Sequence, residues 1–251
     1  MKRYISISAL CLVALVIYSG CKYEPATPEL PGKTVAPKAG SVYVYDNYQT
    51  DTTGKKIDSS YSQSKDSVVE SGITYSGKTN VVHMVSVDPV TGSVLLGSDS
   101  YLNFESSGDV SVYTGGAGGI GIPGVKLPDW NLMAVQTHTT VTAKVFDSTI
   151  TFPGVPLPIH LTVTDTNRYV NTGTYTMGSI KLPIFNLVQS VLVNANAILT
   201  QINMINTTHI QYAPSIGNIA SSVTDPTIDN SGFLGSQGGS IQTLVSYKLG
   251  N

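Results

Sequence analysis

The side chains in this sequence that could bind a metal ion or act as a general base are four histidines. They are His83, His138, His160 and His209. No two of them stand at the H-x-x-x-H or H-x-H spacing that brings two ring nitrogens to one metal ion. Each falls in a stretch predicted to be a β-strand, where a hydrogen-bonded or surface histidine is the ordinary interpretation. The sequence therefore predicts no metal site.

Hydroxyl nucleophiles and paired carboxylates give no stronger indication of an active site. Serines are frequent, but none stands in the G-x-S-x-G sequence that exposes a nucleophile on a sharp turn. A glycosidase needs two carboxylates on opposite sides of a cleft. One central group of acidic residues flanks predicted turns and is expected to be solvated: Asp99, Glu105, Asp109 and Asp129. We therefore predict that the protein is not an enzyme and has no catalytic residues.

The segment Gly116–Gly121 (GAGGIG) has the G-x-G-x-x-G spacing of a dinucleotide-binding turn. Such a turn must open a helix whose N-terminal N–H groups face the pyrophosphate. Pro123 and Pro128 follow closely, and a helix does not continue through them. The sequence thus predicts a mobile glycine- and proline-rich loop and no cofactor. Residues 152–158 form a second predicted loop of similar sequence, and this similarity is explained by chance or by shared turn chemistry. The alternative is that the two loops form the two rims of one opening.

Cys21 is the residue with the clearest chemical assignment. It follows two basic residues, an apolar run over 4–18 that is too short to span a bilayer, and the small residues Ser19 and Gly20. This arrangement resembles the lipobox of bacterial lipoproteins, although Tyr18 stands where that family commonly has leucine. The resemblance implies cleavage before Cys21, diacylation of its sulfur, and a membrane as partner through the lipid anchor. It also implies a cell-envelope location, with the outer membrane expected and the face left open.

Charge and cysteine content exclude other classes of protein. Removing residues 1–20 leaves 12 basic and 16 acidic side chains, a net charge of about −4, and Arg168 as the sole arginine. Nucleic-acid binding needs clustered Lys and Arg, so none is expected. Cys21 is then the only cysteine, which excludes a disulfide within the mature chain.

The chain divides into three predicted parts. Residues 1–20 form the lipoprotein signal peptide, and residues 21–40 form the lipid anchor and a proline-rich tether, which suits an extended spacer. Residues 41–251 form a single β domain. Its composition, poor in charged residues and rich in Val, Thr, Ser, Asn and Tyr, is typical of all-β proteins.

Period-two patterns and turn signals place the expected strands. They begin at Val42–Tyr45 and continue through Lys56–Val69, Asn80–Asp88, Ser93–Glu105, Asp109–Tyr113, Asn131–Asp147, Ile159–Asn171, Tyr175–Lys181 and Ser240–Leu249. Residues 184–205 fit helical and strand spacing equally well, and their β-branched residues favour two strands over a covering helix. The turns recur every 8–15 residues, which predicts an antiparallel meander with little helix.

A series of tyrosines has two interpretations. Tyr43, Tyr45, Tyr48, Tyr61, Tyr75, Tyr101 and Tyr113 would be half-buried strand residues, which is the favoured interpretation. Alternatively, exposed members of the series would stack on sugars or bind a peptide.

The C-terminal part carries a second resemblance. The sequence Tyr212-Ala213-Pro214-Ser215-Ile216-Gly217, with Leu244–Tyr247 further on and Tyr43–Asp46 before it, resembles exported lipoproteins of Bacteroidota-like bacteria with a Y-A-P-x-x-G motif. That likeness implies a lipoprotein-carrier-like fold: a strongly curved antiparallel sheet, or open (incomplete) barrel, around an apolar concavity. This resemblance assigns no chemical activity to the protein.

Two functions follow as hypotheses. The first is a non-enzymatic envelope protein that holds an apolar or amphiphilic ligand in a concave pocket of several hundred Å3. The alternative is a structural or interaction lipoprotein that uses an exposed β face or edge toward glycan or a partner envelope protein. A cluster of exposed tyrosines with Trp130 would favour the alternative. An enzyme would instead need a histidine and a carboxylate in hydrogen-bond reach within a cleft.

Overall fold

Thirteen β-strands account for the regular structure. The computed structural model describes residues 33–114, 129–134, 140–150, 158–197, 200–229 and 237–251. The strands are β1 (Val42–Thr50), β2 (Lys56–Tyr75), β3 (Lys78–Val87), β4 (Ser100–Phe104), β5 (Val110–Tyr113), β6 (Trp130–Ala134), β7 (Thr140–Ile150), β8 (Ile159–Met177), β9 (Ile180–Ala197), β10 (Thr200–Ala213), β11 (Asn218–Thr224), β12 (Ile228–Asp229) and β13 (Ser240–Lys248).

All these strands lie in one antiparallel sheet with the order β6-β5-β4-β3-β2-β1-β13-β11-β10-β9-β8-β7, and β12 pairs with β10. Two meanders, β1 to β6 and β7 to β11, are therefore joined side by side through the C-terminal strand β13. Among the described residues the sheet contains no helix and is not closed, which confirms the predicted all-β, antiparallel architecture. Nor do these residues include a helix long and apolar enough to cross a membrane.

The sheet is strongly curved. The Tyr175 hydroxyl of β8 donates to the Leu244 carbonyl of β13 at 2.6 Å, although three strands separate β8 from β13 in the sheet. At the opposite edge, β6 also contacts β8. Six peptide units join Ala134, at the end of one edge strand, to Thr140, at the start of the other, so the two edges lie within about 20 Å of each other.

The concave side of this curve is filled by the main core. Tyr43, Tyr45 and Tyr212 are almost completely buried there, together with aliphatic and aromatic side chains of most strands. The Tyr43 hydroxyl donates to the Ile216 carbonyl at 2.7 Å, and the Tyr45 hydroxyl to the Ile219 carbonyl at 3.1 Å. These bonds satisfy buried phenols and fix the β10–β11 hairpin over β1.

Several strand predictions were wrong in their bounds, and β2 runs to Tyr75 where the expected strand ended at Val69. Residues 93–99 form turns, so β4 is shorter than the expected Ser93–Glu105. The expected strand Asn131–Asp147 is two strands, β6 and β7, at opposite edges of the sheet. The expected strand Ile159–Asn171 and the first residues of the expected strand Tyr175–Lys181 are joined in one strand, β8, and the chain turns at Gly178, which has a φ of +58° that a glycine adopts without strain.

The ambiguous segment 184–205 forms strands, as the β-branched residues favoured. It spans most of β9 and the start of β10, and the two pair from Ala197↔Thr200 to Phe185↔Tyr212. Phe185 and Leu187 face the core while Asn186 and Val188 face outward, which is the period of two expected for a strand. The helical interpretation of its apolar residues was therefore wrong.

The end of the predicted tether is docked on the domain. The Val35 amide donates to the Pro214 carbonyl at 2.9 Å, and the Thr34 hydroxyl to the Gly108 carbonyl at 2.9 Å. Val35 also passes so close to Gly217 (φ +65°) that its carbonyl oxygen occupies the place of a Cβ. The Y-A-P-x-x-G sequence, residues 212–217, thus forms the β10–β11 turn that receives this segment.

Candidate functional site

Three histidines each bond to an aspartate near them in the fold. The ring nitrogens of His83, His160 and His209 lie 2.8, 3.1 and 3.1 Å from oxygens of Asp99, Asp147 and Asp225. This confirms the interpretation of these histidines as hydrogen-bonded strand residues; His138 lies outside the described residues. In the described part of the chain, no three His, Cys, Asp or Glu side chains come close enough to hold a metal ion.

Two of these histidines have a further polar group near the second ring nitrogen. Thr149 Oγ1 lies 3.5 Å from His160 Nδ1, which is too long for a good hydrogen bond, and both side chains are exposed on an edge hairpin. His83 Nδ1 faces Glu70 at 3.6 Å. His209, whose Nε2 lies 3.1 Å from Asp225 Oδ2, lines a groove, so this pair meets the histidine–carboxylate condition stated for an enzyme.

The remaining sequence candidates lie apart from each other or outside the described residues. Glu105 forms an ion pair with Lys78 at 2.6 Å, and Asp99 bonds to His83. These acidic residues therefore have ordinary surface partners, as expected. Cys21, the Gly116–Gly121 loop and most of the 152–158 loop lie outside the described residues, so the predictions for them stand as predictions.

The tyrosine series divides between three environments. Tyr43 and Tyr45 belong to the core. Tyr48 and Tyr61 pack together on the opposite, convex side, with ring centroids 5.3 Å apart. The other members, with His83 and Trp130, form an aromatic cluster on β2 to β6: Tyr75, Tyr101 and Tyr113.

The rings of the aromatic cluster mainly face each other. Tyr101 stacks on Tyr75 at 3.8 Å and on His83 at 4.6 Å, and Tyr113 meets the edges of both tyrosines. Trp130 leans on Tyr113 at 5.2 Å. Because both faces of Tyr101 are occupied by neighbouring rings, the cluster buries apolar area locally and presents ring edges to a partner.

A continuous row of polar side chains crosses the convex face of the sheet. Directly paired residues in an antiparallel sheet lie on the same face, and six consecutive pairings link seven strands. We call this set the polar row: Asn171, Asn186, Gln211, Ser221, Thr243, Asp46 and Gln63. At the usual strand spacing it extends about 29 Å.

A second row runs beside it and combines apolar and cationic groups. We call this set the mixed row: Arg168, Val188, His209, Val223, Ile241 and Tyr48. Arg168 lies at one end, and Tyr48 with the half-exposed Tyr61 lies at the other. The convex face therefore offers hydrogen-bonding groups and apolar contacts in parallel lines.

A β-bulge gives the polar row its end residue. Arg168 pairs with Val188 and Asn171 pairs with Asn186, so Val170 is the extra residue between them. Without this insertion Asn171 would point toward the core side, because side chains alternate along a strand. Bulges that redirect a side chain are frequent beside functional sites.

The amides of the polar row orient each other. Asn186 Nδ2 donates to Asn171 Oδ1 at 2.6 Å, and Gln211 Nε2 donates to Asn186 Oδ1 at 3.3 Å. At the other end, Tyr61 and Gln63 donate to Asp46 Oδ1 at 3.1 and 3.2 Å, and the bond to Asp46 raises the pKa of the Tyr61 phenol. The row is therefore organised before any ligand arrives.

The Arg168 end of both rows borders an open groove of about 540 Å3. This volume lies within the range of about 300–1,000 Å3 that is typical of ligand pockets. The groove is lined by amides, hydroxyls, valines, Arg168 and His209. The predicted apolar pocket was expected on the concave side instead, which the core fills in the described part of the chain.

Sequence reasoning did not find these rows. It noted Arg168 as the only arginine of the mature chain and assigned no role to the amides of the polar row. The rows depend on the register of seven strands, and no local pattern contains that register. The outward alternation of Asn186 with buried Phe185 and Leu187 is the one local signal that was available.

On β8, Asp165 lies on the face opposite Arg168 and is buried. It accepts from Gln189 Nε2 at 3.1 and 3.2 Å and from Asn167 Nδ2 at 3.3 Å, while burial raises the pKa of its carboxyl. The folded protein thus holds this proton more tightly than the unfolded chain does. Asp165 therefore contributes less stability as the pH rises from 3.8 through its folded-state pKa.

We expect Asp165→Asn to gain stability relative to the unchanged protein as the pH rises from 3.5 to 7, because the variant has no buried charge. Thermal unfolding across this pH range measures the gain. Asp51→Asn is the control with the opposite sign, since bonds from Thr53 and Lys55 lower the pKa of Asp51. A parallel pH dependence for Asp165→Asn and the unchanged protein would contradict the burial argument.

No protein-family model matches the chain, and no curated protein matches it either. Two solved structures are similar to it. One, from Bacteroides fragilis, is described as an exported protein with a YmcC-like fold; it is 12% identical, with a TM-score of 0.39 over 86% of this chain and 100% of its own. The other, from Parabacteroides distasonis, is described as a lipoprotein; it is 12% identical, with a TM-score of 0.43 over 86% of this chain and 99% of its own.

Proposed function

We propose that this protein is a lipid-anchored, non-enzymatic protein of the cell envelope that binds glycan along the polar row. The Cys21 lipobox supports the anchor and the envelope location, and the outer membrane is the expected site. The observation that carries the binding function is the line of amide, hydroxyl and carboxylate groups across seven strands. The apolar or amphiphilic ligand considered first becomes the competing occupant of the same face.

The chemistry of the polar row suits a polymer that is rich in hydroxyl groups. Asn, Gln, Ser and Thr side chains all offer acceptors and donors, as sugar hydroxyls do. Asn171 Nδ2 and Gln211 Oε1, at the two ends of the amide chain, have no hydrogen-bond partner among the described residues. The valines of the mixed row lie alongside and offer contact to the apolar C–H faces of sugar rings.

A protein or lipid partner suits this face less well. The centres of protein interfaces are enriched in aromatic side chains, Met and Arg, whereas the described groove lining holds no Tyr, Trp, Phe or Met and, besides Arg168 and His209, consists of amides, Ser221 and aliphatic side chains. A lipid chain would bring those half-buried amides into contact with hydrocarbon without new partners, which costs free energy. The glycan keeps the amides hydrogen-bonded.

The test uses the full-length protein in a detergent without a sugar head group, since a glycoside detergent would compete. We expect dextran, mannan or polygalacturonate to bind it in affinity electrophoresis. Replacing Asn186 and Gln211 together by Ala should weaken that binding roughly 30-fold, because two lost hydrogen bonds of about 1 kcal/mol each total about 2 kcal/mol.

The matched control is Gln201→Ala. It removes the same side chain from the same strand, about 34 Å from Gln211 along β10. We expect its affinity to equal that of the unchanged protein. Equal weakening by Gln201→Ala, or the absence of binding to every polysaccharide, would refute a glycan site on the polar row.

A further inference from the structure

We infer that the glycan bound by this face is an acidic one, whose carboxylate or other anionic group is held by Arg168 at the end of the groove. This inference rests on the proposed function, because it names the class of ligand for the same face.

Arg168 is exposed and lies at the groove, beside the amides of the polar row. Among the described residues no Asp or Glu forms an ion pair with it. The nearest acidic residue along β8, Asp165, is buried on the opposite face. Within the described part of this acidic chain, Arg168 is therefore a cation without a carboxylate counter-ion.

The other charged groups at the groove do not replace it. His209 lies two pairings away in the mixed row, but its Nε2 bonds to Asp225 at 3.1 Å. Lys181 lies further along β9, opposite Thr176 and toward the β8–β9 turn. Of the described residues that line the groove, Arg168 is thus the one cation that is available to an anionic ligand.

Geometry places the anion next to the hydroxyl-binding groups. The bulge at Val170 lets Arg168 and Asn171 face the same side of β8 within three residues. A guanidinium binds a carboxylate through two parallel hydrogen bonds, and an adjacent amide can accept or donate to a neighbouring hydroxyl. A uronic acid carries these groups on one ring, so one sugar unit could contact both Arg168 and Asn171.

The experiment compares polygalacturonate and alginate, as acidic probes, with dextran and mannan, as neutral probes, on the full-length protein. We expect the acidic polymers to bind more tightly. Arg168→Gln should weaken their binding about tenfold or more and so bring their affinity close to that of the neutral polymers, because hydrogen bonds to charged groups are the stronger class. Arg168→Lys should retain part of the preference for acidic polymers. In 0.5 M salt the preference of the unchanged protein should be smaller.

Lys181→Gln is the charge-matched control and should keep the preference for acidic polymers. Equal binding of acidic and neutral polymers, insensitive to Arg168→Gln, would overturn the acidic ligand but leave the glycan function standing. If no polysaccharide binds, both proposals fail. Binding to phosphatidylglycerol vesicles that depends on Arg168, with no polysaccharide bound, would also refute both and identify an anionic amphiphile as the occupant.

Discussion

Replacing Gly239 by Ala should destabilise the protein by about 3 kcal/mol, because the new methyl group has no space. Gly239 lies just before β13, between the ends of β1 and β11. A Cβ there would overlap the Thr224 carbonyl oxygen and come within 2.9 Å of the carbonyl carbons of Thr224 and Asp225. These are backbone atoms, so relief requires strands to move apart.

The same site carries two hydrogen bonds that such a movement would break. The Gly239 amide donates to Thr50 Oγ1 at 2.8 Å, and its carbonyl accepts from the Thr50 amide at 2.9 Å. For a domain of this size we expect a fall in Tm of roughly 10 °C, measured by circular dichroism. A loss of this size would show that the β1–β13–β11 junction, which unites the two meanders, limits stability.

Gly92→Ala separates overlap from backbone strain. Gly92 has a φ of +73°, but an added Cβ meets no atom within 4 Å. Only the cost of a left-handed alanine should appear, about 1 kcal/mol. If Gly92→Ala and Gly239→Ala lower the Tm equally, steric overlap at Gly239 is not the cause.

Local sequence predicted most of the strands, whereas Tyr43 and Tyr45, expected to be half-buried, are buried in the core. Tyr43 and Tyr45 alternate with half-buried valines in β1, and the pattern is visible because one face of the strand packs inward. The choice of strands over helix for 184–205 rested on β-branched residues and was right for the same reason. Such features depend on neighbours in sequence.

Features that depend on distant pairing could not be predicted in this way. The expected strand Asn131–Asp147 has an uninterrupted β pattern, but it becomes the two edge strands of one curved sheet. This stretch divides into two strands because the sheet is curved. Tertiary packing determines that curvature. The insertion of β13 between β1 and β11, and with it the continuity of the polar row, likewise requires contacts almost 200 residues apart in sequence.

Two tyrosines of the core, Tyr43 and Tyr212, give the second prediction with a large effect. They differ in whether the phenol hydroxyl has a hydrogen-bond partner. Tyr43 donates a 2.7 Å hydrogen bond, whereas the Tyr212 hydroxyl is buried without a partner among the described residues. Burial raises the pKa of both phenols, so each is neutral at ordinary pH. Removing the entire ring of either tyrosine, as in Tyr212→Ala, should lower the free energy of unfolding by about 3–5 kcal/mol.

Removing only the hydroxyl should have opposite consequences at the two positions. Tyr43→Phe leaves the Ile216 carbonyl unpaired and should lose about 1–2 kcal/mol, while Tyr212→Phe removes an unsatisfied polar atom and should gain about 1 kcal/mol. Urea unfolding of both variants measures the difference, because their m-values should remain equal. An equal loss in both would mean that the Tyr212 hydroxyl has a hydrogen-bond partner in solution. A gain for Tyr212→Phe would instead identify this buried phenol as a point where the core is less stable than its packing permits.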